Sequence, residues 1–195
     1  MNLKQILDNL NFKNITDCTF KEVKTIRDIR NEDSIRRHMR SNKKILLKDH
    51  INWVNKIKNS KVNFFYSIKY KDKIIGGLGL SNYNKNLLSG EWSYYISDKE
   101  RFIGLGASVE FKAIDYFFSF YKLKNLFCYV LRHNSSIIKL HSKFGFQQIS
   151  FDEYGKNNSL NEDLLNAIYL CLDLPKWKSI NYKLKFFTKN EKNKS

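Results

Sequence analysis

Proline and glycine are scarce in this chain, with one proline, Pro175, and eight glycines among 195 residues. That shortage excludes a Pro/Gly-rich linker. With 42% apolar residues, the chain is expected to bury one core as a single domain over residues 1–180, leaving a basic tail at 181–195. Apolar runs approaching the ~20 residues of a membrane span are missing. Met1-Asn2-Leu3-Lys4-Gln5 lacks the apolar stretch of a signal peptide. Cysteine is rare as well. Cys18, Cys128 and Cys171 form an odd, widely spaced set, which argues against a disulfide framework and fits a reduced, cytoplasmic setting. Cys128 and Cys171 stand in apolar runs and read as small buried hydrophobes.

Acidic residues are also in short supply: 19 Asp and Glu face 35 Lys and Arg, for a net charge of +16. Seven arginines leave 28 lysines, spread along the whole chain. Scattered lysine is the mark of a solvated surface, so no nucleic-acid partner is read from it, whereas a phosphate-rich cofactor and an anionic substrate would both suit such a protein. The standard nucleotide motifs are absent. There is no Gly-x-x-x-x-Gly-Lys-Ser/Thr, and the one glycine turn lacks the third glycine of a dinucleotide fingerprint. The reading includes no metal.

What is present centres on Tyr95 to Ser108. An apolar, aromatic strand from Gly90 to Ser97 runs into Arg101-Phe102-Ile103-Gly104-Leu105-Gly106-Ala107, which opens a helix. Glycines at a strand-to-helix turn remove Cβ atoms, so main-chain amides can close on a phosphate at the positive helix end. The following helix, Ala107 to Tyr121, carries Val109, Ala113, Phe117 and Tyr121 on one stripe. Asn125 to Leu131 reads as a strand. Ser135 to Phe144 reads as a helix with Ile137, Leu140 and Phe144 on one face, stopped by Gly145.

Upstream, helical spacing covers Lys21–Asn31, with Val23, Ile26 and Ile29 inward, and Lys48–Ile57, with Ile51, Val54 and Ile57 inward. Glu32 to Leu47 is polar and basic, a loop or short helix. Asn63–Tyr70 and Lys73–Leu80 form a hairpin around Lys71-Asp72. Downstream, Gln147–Asp152 and Ala167–Leu174 read as two more strands. The order predicts a mixed α/β (α+β) sheet with a partly antiparallel meander.

These motifs resemble those of the GCN5-related N-acetyltransferase superfamily. Arg101, Gly104 and Gly106 match its Arg/Gln-x-x-Gly-x-Gly/Ala turn, while Asn134, Gly145 and Phe146 match its second motif helix. Ile137 stands at that helix's usual Ala and His141 at its usual Tyr. The resemblance implies a central, mostly antiparallel sheet with a splayed parallel strand pair, helices on both faces, and acetyl-CoA as cofactor. By the same resemblance, main-chain groups of Tyr94, Tyr95 and Ile96 meet the pantetheine arm. Arg101, Ile103, Gly104, Gly106 and Ala107 wrap the pyrophosphate, and Asn134 bonds the arm. His141 either protonates the departing thiolate, which an imidazole can do near neutrality, or packs at the splay. Glu91 is either the base for the amine or a solvated carboxylate at a strand end.

The first third of the chain resembles a branch of that superfamily, the nucleotide-sugar N-acetyltransferases of bacterial pseudaminic-acid biosynthesis, over roughly residues 20–175. That resemblance implies a UDP-linked 4-amino sugar as acceptor. Arg30 and His50 would reach phosphate, Met39 and Trp53 would stack on uracil or sugar, and Ser81 and Asn82 would add polar contacts. Arg30 equally suits a helix C-terminus, and Trp53 the core. An amino-acid or antibiotic N-acetyltransferase and a ribosomal-protein N-acetyltransferase are the enzymatic alternatives. The non-enzymatic one, a nucleic-acid or membrane-surface module, draws on the basic aromatic run Lys176–Lys189, which could also cover an edge strand. Residues from Lys189 onward read as a disordered end. The expected assembly is a monomer or homodimer.

Overall fold

Alternation along β4 (Ser89–Ile96) divides the protein into two layers. Trp92, Tyr94 and Ile96 point into the larger core, and Glu91 and Tyr95 point to the opposite sheet face. The computed structural model describes residues 3–158 and 166–181. Seven strands lie in the order β1-β2-β3-β4-β5-β7-β6, formed by β1 (Leu10–Asn14), β2 (Phe64–Tyr70), β3 (Lys73–Asn84), β4, β5 (Asn125–Leu131), β6 (Gln147–Ile149) and β7 (Ala167–Asp173). Every neighbouring pair is antiparallel except β4 and β5.

That parallel pair is short. Its register covers Ser89↔Asn125, Gly90↔Leu126 and Glu91↔Phe127 and stops there, although both strands continue. From Trp92 and Cys128 onward the two strands open a gap in the middle of the sheet, the splayed pair that the family resemblance implies.

One face carries α1 (Leu3–Asp8), α5 (Leu105–Phe120), α6 (Ser135–Lys143) and α8 (residues 174–181) around the main core, which holds Ile6, Trp92, Val109, Phe117, Leu126 and Trp177. The expected stripe of α5 is buried at all four positions, Val109, Ala113, Phe117 and Tyr121. The other face carries α2 (Phe20–Arg30), α3 (Asp33–Arg36) and α4 (Leu47–Lys58), which bury Val23, Ile26, Ile29, Ile35 and Val54. Further along it lies α7 (Phe151–Asn158), with Tyr154 against Phe127 and Tyr169. A capping box opens α2: Thr19 accepts from the Glu22 amide and Glu22 accepts from the Thr19 amide.

Several expectations are corrected. The inward face of α4 is His50 and Val54, with Ile51 only half-buried. The strand expected over Gln147–Asp152 ends at Ile149, because Ser150 starts a helix: its carbonyl accepts from the Tyr154 amide and its hydroxyl from the Glu153 amide. The basic aromatic run begins as core. Trp177 is 2% exposed, with Phe111, Phe118 and Phe144 around its ring. Gly145, at φ +90°, ends α6 in the left-handed region, and a Cβ there would lie 2.3 Å from Ile180 Cδ1. The rest of that run, from 182, lies outside the described residues, as does the expected disordered end. The sequence reading had no element before residue 20, where α1 packs on α5 and β1 pairs with β2.

Candidate active site

The glycine turn leaves β4 at the open end of the gap. Ser97 and a 3-10 turn at 98–100 carry the chain to Gly104, whose φ of +89° places it at the N-cap of α5. A left-handed residue here favours glycine. Its carbonyl accepts from the Ser108 amide at 2.9 Å and the Ser108 hydroxyl at 2.8 Å, which fixes the first turn. The amides of Gly106 and Ala107 belong to that first turn, where a helix supplies no acceptor of its own. A Cβ built on Gly106 would meet nothing within 4 Å, so the space before the amides is open, and the Ile103 side chain is fully exposed. The Arg101 guanidinium braces the turn, donating to the Ile96 carbonyl at 3.3 Å and pairing with Asp98 at 2.9 Å. Open amides at the positive end of a 16-residue helix fit a diphosphate.

On the same face, three polar side chains meet inside the core. Nδ1 of His141, on α6, lies 2.7 Å from Oε1 of Glu110 on α5, and the Tyr94 hydroxyl donates to Oε2 of Glu110 at 3.1 Å. The imidazole is 4% exposed and touches Trp92 and Phe146, with ring centroids 5.4 and 5.1 Å away. Burial, and then the neighbouring carboxylate, drives the Tyr94 hydroxyl far above the ordinary phenol range. Burial does the same to the Cys128 thiol on β5. Asn134 stands at the N-cap of α6 but makes no side-chain capping bond; it accepts from the Ser136 hydroxyl at 3.4 Å.

Glu91 is on the opposite face, so the structure does not bring it beside His141; the gap lies between them. Its Oε2 accepts from the Tyr154 hydroxyl at 2.6 Å, and Asn82 bonds it as well. Burial raises its carboxyl above the usual range, opposed by those two bonds and by the charge of Arg40. Arg30, at the end of α2, is held near Tyr95 of β4 and Tyr129 of β5. Its Nη1 is buried without a partner, and burial lowers the guanidinium pKa. Ser81 donates to the Glu91 main-chain carbonyl at 3.4 Å, and Asn82 takes a left-handed φ of +53°.

The expectation that His50 reaches a phosphate is overturned. The ring is 4% exposed between α4 and α2, stacks on Trp53 at 5.2 Å, and is depressed in pKa by burial. Met39 and Trp53 pack against the α2–α4 core, and Trp53 meets Phe65 edge-on at 4.9 Å. Glu110 and Tyr154 were missed. Glu110 did leave a signal, a lone carboxylate three, four and seven residues before Ala113, Ile114 and Phe117 on the apolar side of a helix. Tyr154 left none, because its helix falls where the sequence shows only the end of one expected strand, Gln147–Asp152, and the stretch before the next, Ala167–Leu174.

A sheet parted at its parallel pair, followed by an amide cradle at the next helix start, defines an acyl-CoA-dependent transferase. The family model described as "Acetyltransferase (GNAT) domain" matches residues 15–164, and the chain belongs to that family. It is an N-acetyltransferase that takes acetyl from acetyl-CoA to an amine. Among solved structures, the N-acetyltransferase PseH of Campylobacter jejuni aligns at TM-score 0.64 and 19% identity, over 85% of this chain and 99% of that one. Its structure in complex with acetyl coenzyme A aligns to the same extent. Spermidine N-acetyltransferase of Vibrio cholerae, in complex with CoA and spermine, aligns at TM-score 0.73 and 15% identity, over 87% and 98% of the two chains. At these identities the likeness is one of fold. No curated relative matches the chain. No helix among the described residues is long and apolar enough to cross a membrane.

Proposed function

We propose that this N-acetyltransferase acts on the 4-amino group of a UDP-linked amino-deoxy sugar on a bacterial route to a nonulosonic acid such as pseudaminic acid. The observation that carries this reading is Arg30. A half-buried guanidinium with a partnerless nitrogen, beside the gap on the Glu91 face, calls for an anionic group on the acceptor. Arg40, near Glu91 and Tyr129, adds to that preference. A polycationic acceptor such as spermidine is disfavoured by the same two arginines. PseH adds a fold-level analogy only.

In this reading the amides of Ile103, Gly104, Gly106 and Ala107, with Arg101 bracing the turn, hold the diphosphate of acetyl-CoA. The main chain of Tyr94, Tyr95 and Ile96, together with Asn134, holds its pantetheine arm. When bound, acetyl-CoA supplies a thioester whose carbonyl carbon is open to a neutral amine. Glu91 takes the proton released by the amine, directly or through a water, and His141 gives one to the sulfur as it departs. Ser81 and Asn82 flank the acceptor, while Met39 and Trp53 stay in the α2–α4 core behind it. The domain is single over residues 1–180, works in the cytoplasm, and is a monomer or homodimer.

The test is an acceptor screen with acetyl-CoA, read as free thiol and as an acetyl adduct by mass spectrometry. It includes a UDP-4-amino sugar, amino acids, an amino-glycoside antibiotic, a ribosomal-protein N-terminal peptide and spermidine. Turnover of the nucleotide sugar at a kcat/KM at least ~100-fold above the rest supports the assignment; preference for any other acceptor overturns it.

A further inference from the structure

Glu110 is the one carboxylate in the fully buried set among the described residues, at 0% exposure. An ionised carboxylate in an apolar interior is costly unless its lone pairs are answered. Here Oε1 faces His141 Nδ1 and Oε2 accepts from Tyr94. Tyr94 keeps its proton, since burial and this carboxylate both resist its ionisation. Glu110 therefore accepts at Oε2, and a single proton occupies the 2.7 Å contact between Oε1 and Nδ1. The two imidazole nitrogens point in divergent directions. With Nδ1 committed to α5, Nε2 is the nitrogen left for the gap.

We propose that Glu110 is a positioning residue for acetyl transfer, keeping the proton on Nδ1 of His141 so that Nε2 carries the exchangeable one. This rests on the reading of His141 as the acid. To act as the acid, His141 must enter the step with both ring protons and Glu110 as the carboxylate, a pair that is neutral overall. In the step, the amine nitrogen bonds to the carbonyl carbon and the C–S bond breaks with its electron pair going to sulfur. The Nε2–H bond breaks as S–H forms, and the surplus amine proton leaves to Glu91 or solvent. His141 ends neutral with Nδ1–H still on Glu110, which is never protonated. The other groups packed here do not compete for that proton. Trp92 and Phe146 are not titratable in this range, Tyr94 and Cys128 are pushed upward by burial, and Lys139 and Lys143 on the same helix are exposed.

The test begins with ring ¹⁵N NMR of the unliganded wild-type protein, which requires no variant to fold. Neutral His141 is expected as the Nδ1–H tautomer; an Nε2–H tautomer overturns the proposal. In E110Q the amide can donate to Nδ1, so the tautomer is expected to switch. kcat should fall about tenfold or more with both KM values within about twofold, and the alkaline limb of kcat should move to lower pH. In an H141F background, E110Q should cost nothing further in kcat. If H141F turns over at the wild-type rate, the acid reading itself falls. If H141F is slow while E110Q keeps wild-type tautomer, rate and pH limb and loses only thermal stability, the acid stands and the positioning role is overturned.

Discussion

The hydroxyl of Tyr154 donates to Oε2 of Glu91 at 2.6 Å, tying α7 to β4 on the sheet face opposite His141. The bond favours the carboxylate form of Glu91, while burial favours the neutral acid, and burial is the larger influence. A carboxyl raised in this way remains partly protonated at mildly acidic pH. As a base, it would lose activity when pH falls through that raised value.

Tyr154→Phe removes the largest of the influences that oppose burial, leaving those of Asn82 and Arg40. The acid limb of kcat/KM is expected to move to higher pH, and E91Q should lower kcat/KM about 100-fold across the profile. A pH–rate profile of both variants checks this. An acid limb unmoved by Y154F, together with an active E91Q, would mean that Glu91 is not the base.

The two glycines of the cradle are expected to respond in opposite ways. Gly104→Ala forces a Cβ into the left-handed region, 3.3 Å from Ile6 Cδ1. It should cost about 1–2 kcal/mol, a fall in Tm of roughly 3–6 °C. At Gly106 a Cβ meets nothing in the protein. Gly106→Val should leave Tm unchanged or raised, because valine is a better helix former than glycine. It should nonetheless weaken coenzyme A binding about tenfold or more, because the isopropyl group would stand in the space proposed for the diphosphate. Calorimetric titration beside a thermal melt separates the two effects.

The cradle and its strand were legible in the sequence because glycine at φ > 0 and period-2 alternation are local properties of a few residues. The stop at Gly145 and the faces of β4 follow from chain chemistry alone, and the glycine turn marks the start of α5, which the sequence places at Ala107 and the structure at Leu105 behind an N-cap at Gly104. The acceptor side was not legible in this way. His50 and Trp53 share helical spacing with a binding face and with a core face, and only the packing of α4 on α2 decides between them. The partners of the proposed acid and base were hidden for another reason. Glu110 and Tyr154 lie 31 and 63 residues from the groups they bond, separations that no local pattern encodes. The gap itself depends on where the β4–β5 register stops, a matter of tertiary geometry.

Arg30 should trade stability against acceptor binding. Its Nη1 is buried and unpaired, and burial depresses its pKa, so the free protein carries a charge it does not satisfy. Arg30→Met is expected to raise Tm by about 2–4 °C, the equivalent of about 1 kcal/mol. It should raise KM for an anionic acceptor tenfold or more and leave KM for acetyl-CoA unaltered. A fall in Tm with both KM values unchanged would make Arg30 a structural residue.

Trp177 distinguishes a helix that completes the core from a basic segment that binds a surface. Its indole lies within 5.5–6.4 Å, centroid to centroid, of Phe111 and Phe118 on α5 and of Phe144 at the C-cap of α6, so α8 braces the two helices that carry Glu110 and His141. Trp177→Ala should cost about 3–5 kcal/mol and lower Tm by roughly 10 °C. Because α5 and α6 lose a shared neighbour, kcat should fall at temperatures well below the melt. Lys176→Ala and Lys178→Ala, whose side chains are exposed on the same helix, should change Tm by no more than about 1 °C. Thermal melts of the three variants decide the matter: a surface-binding role for this segment requires the opposite ranking, with the tryptophan neutral and the lysines essential for retention on anionic vesicles.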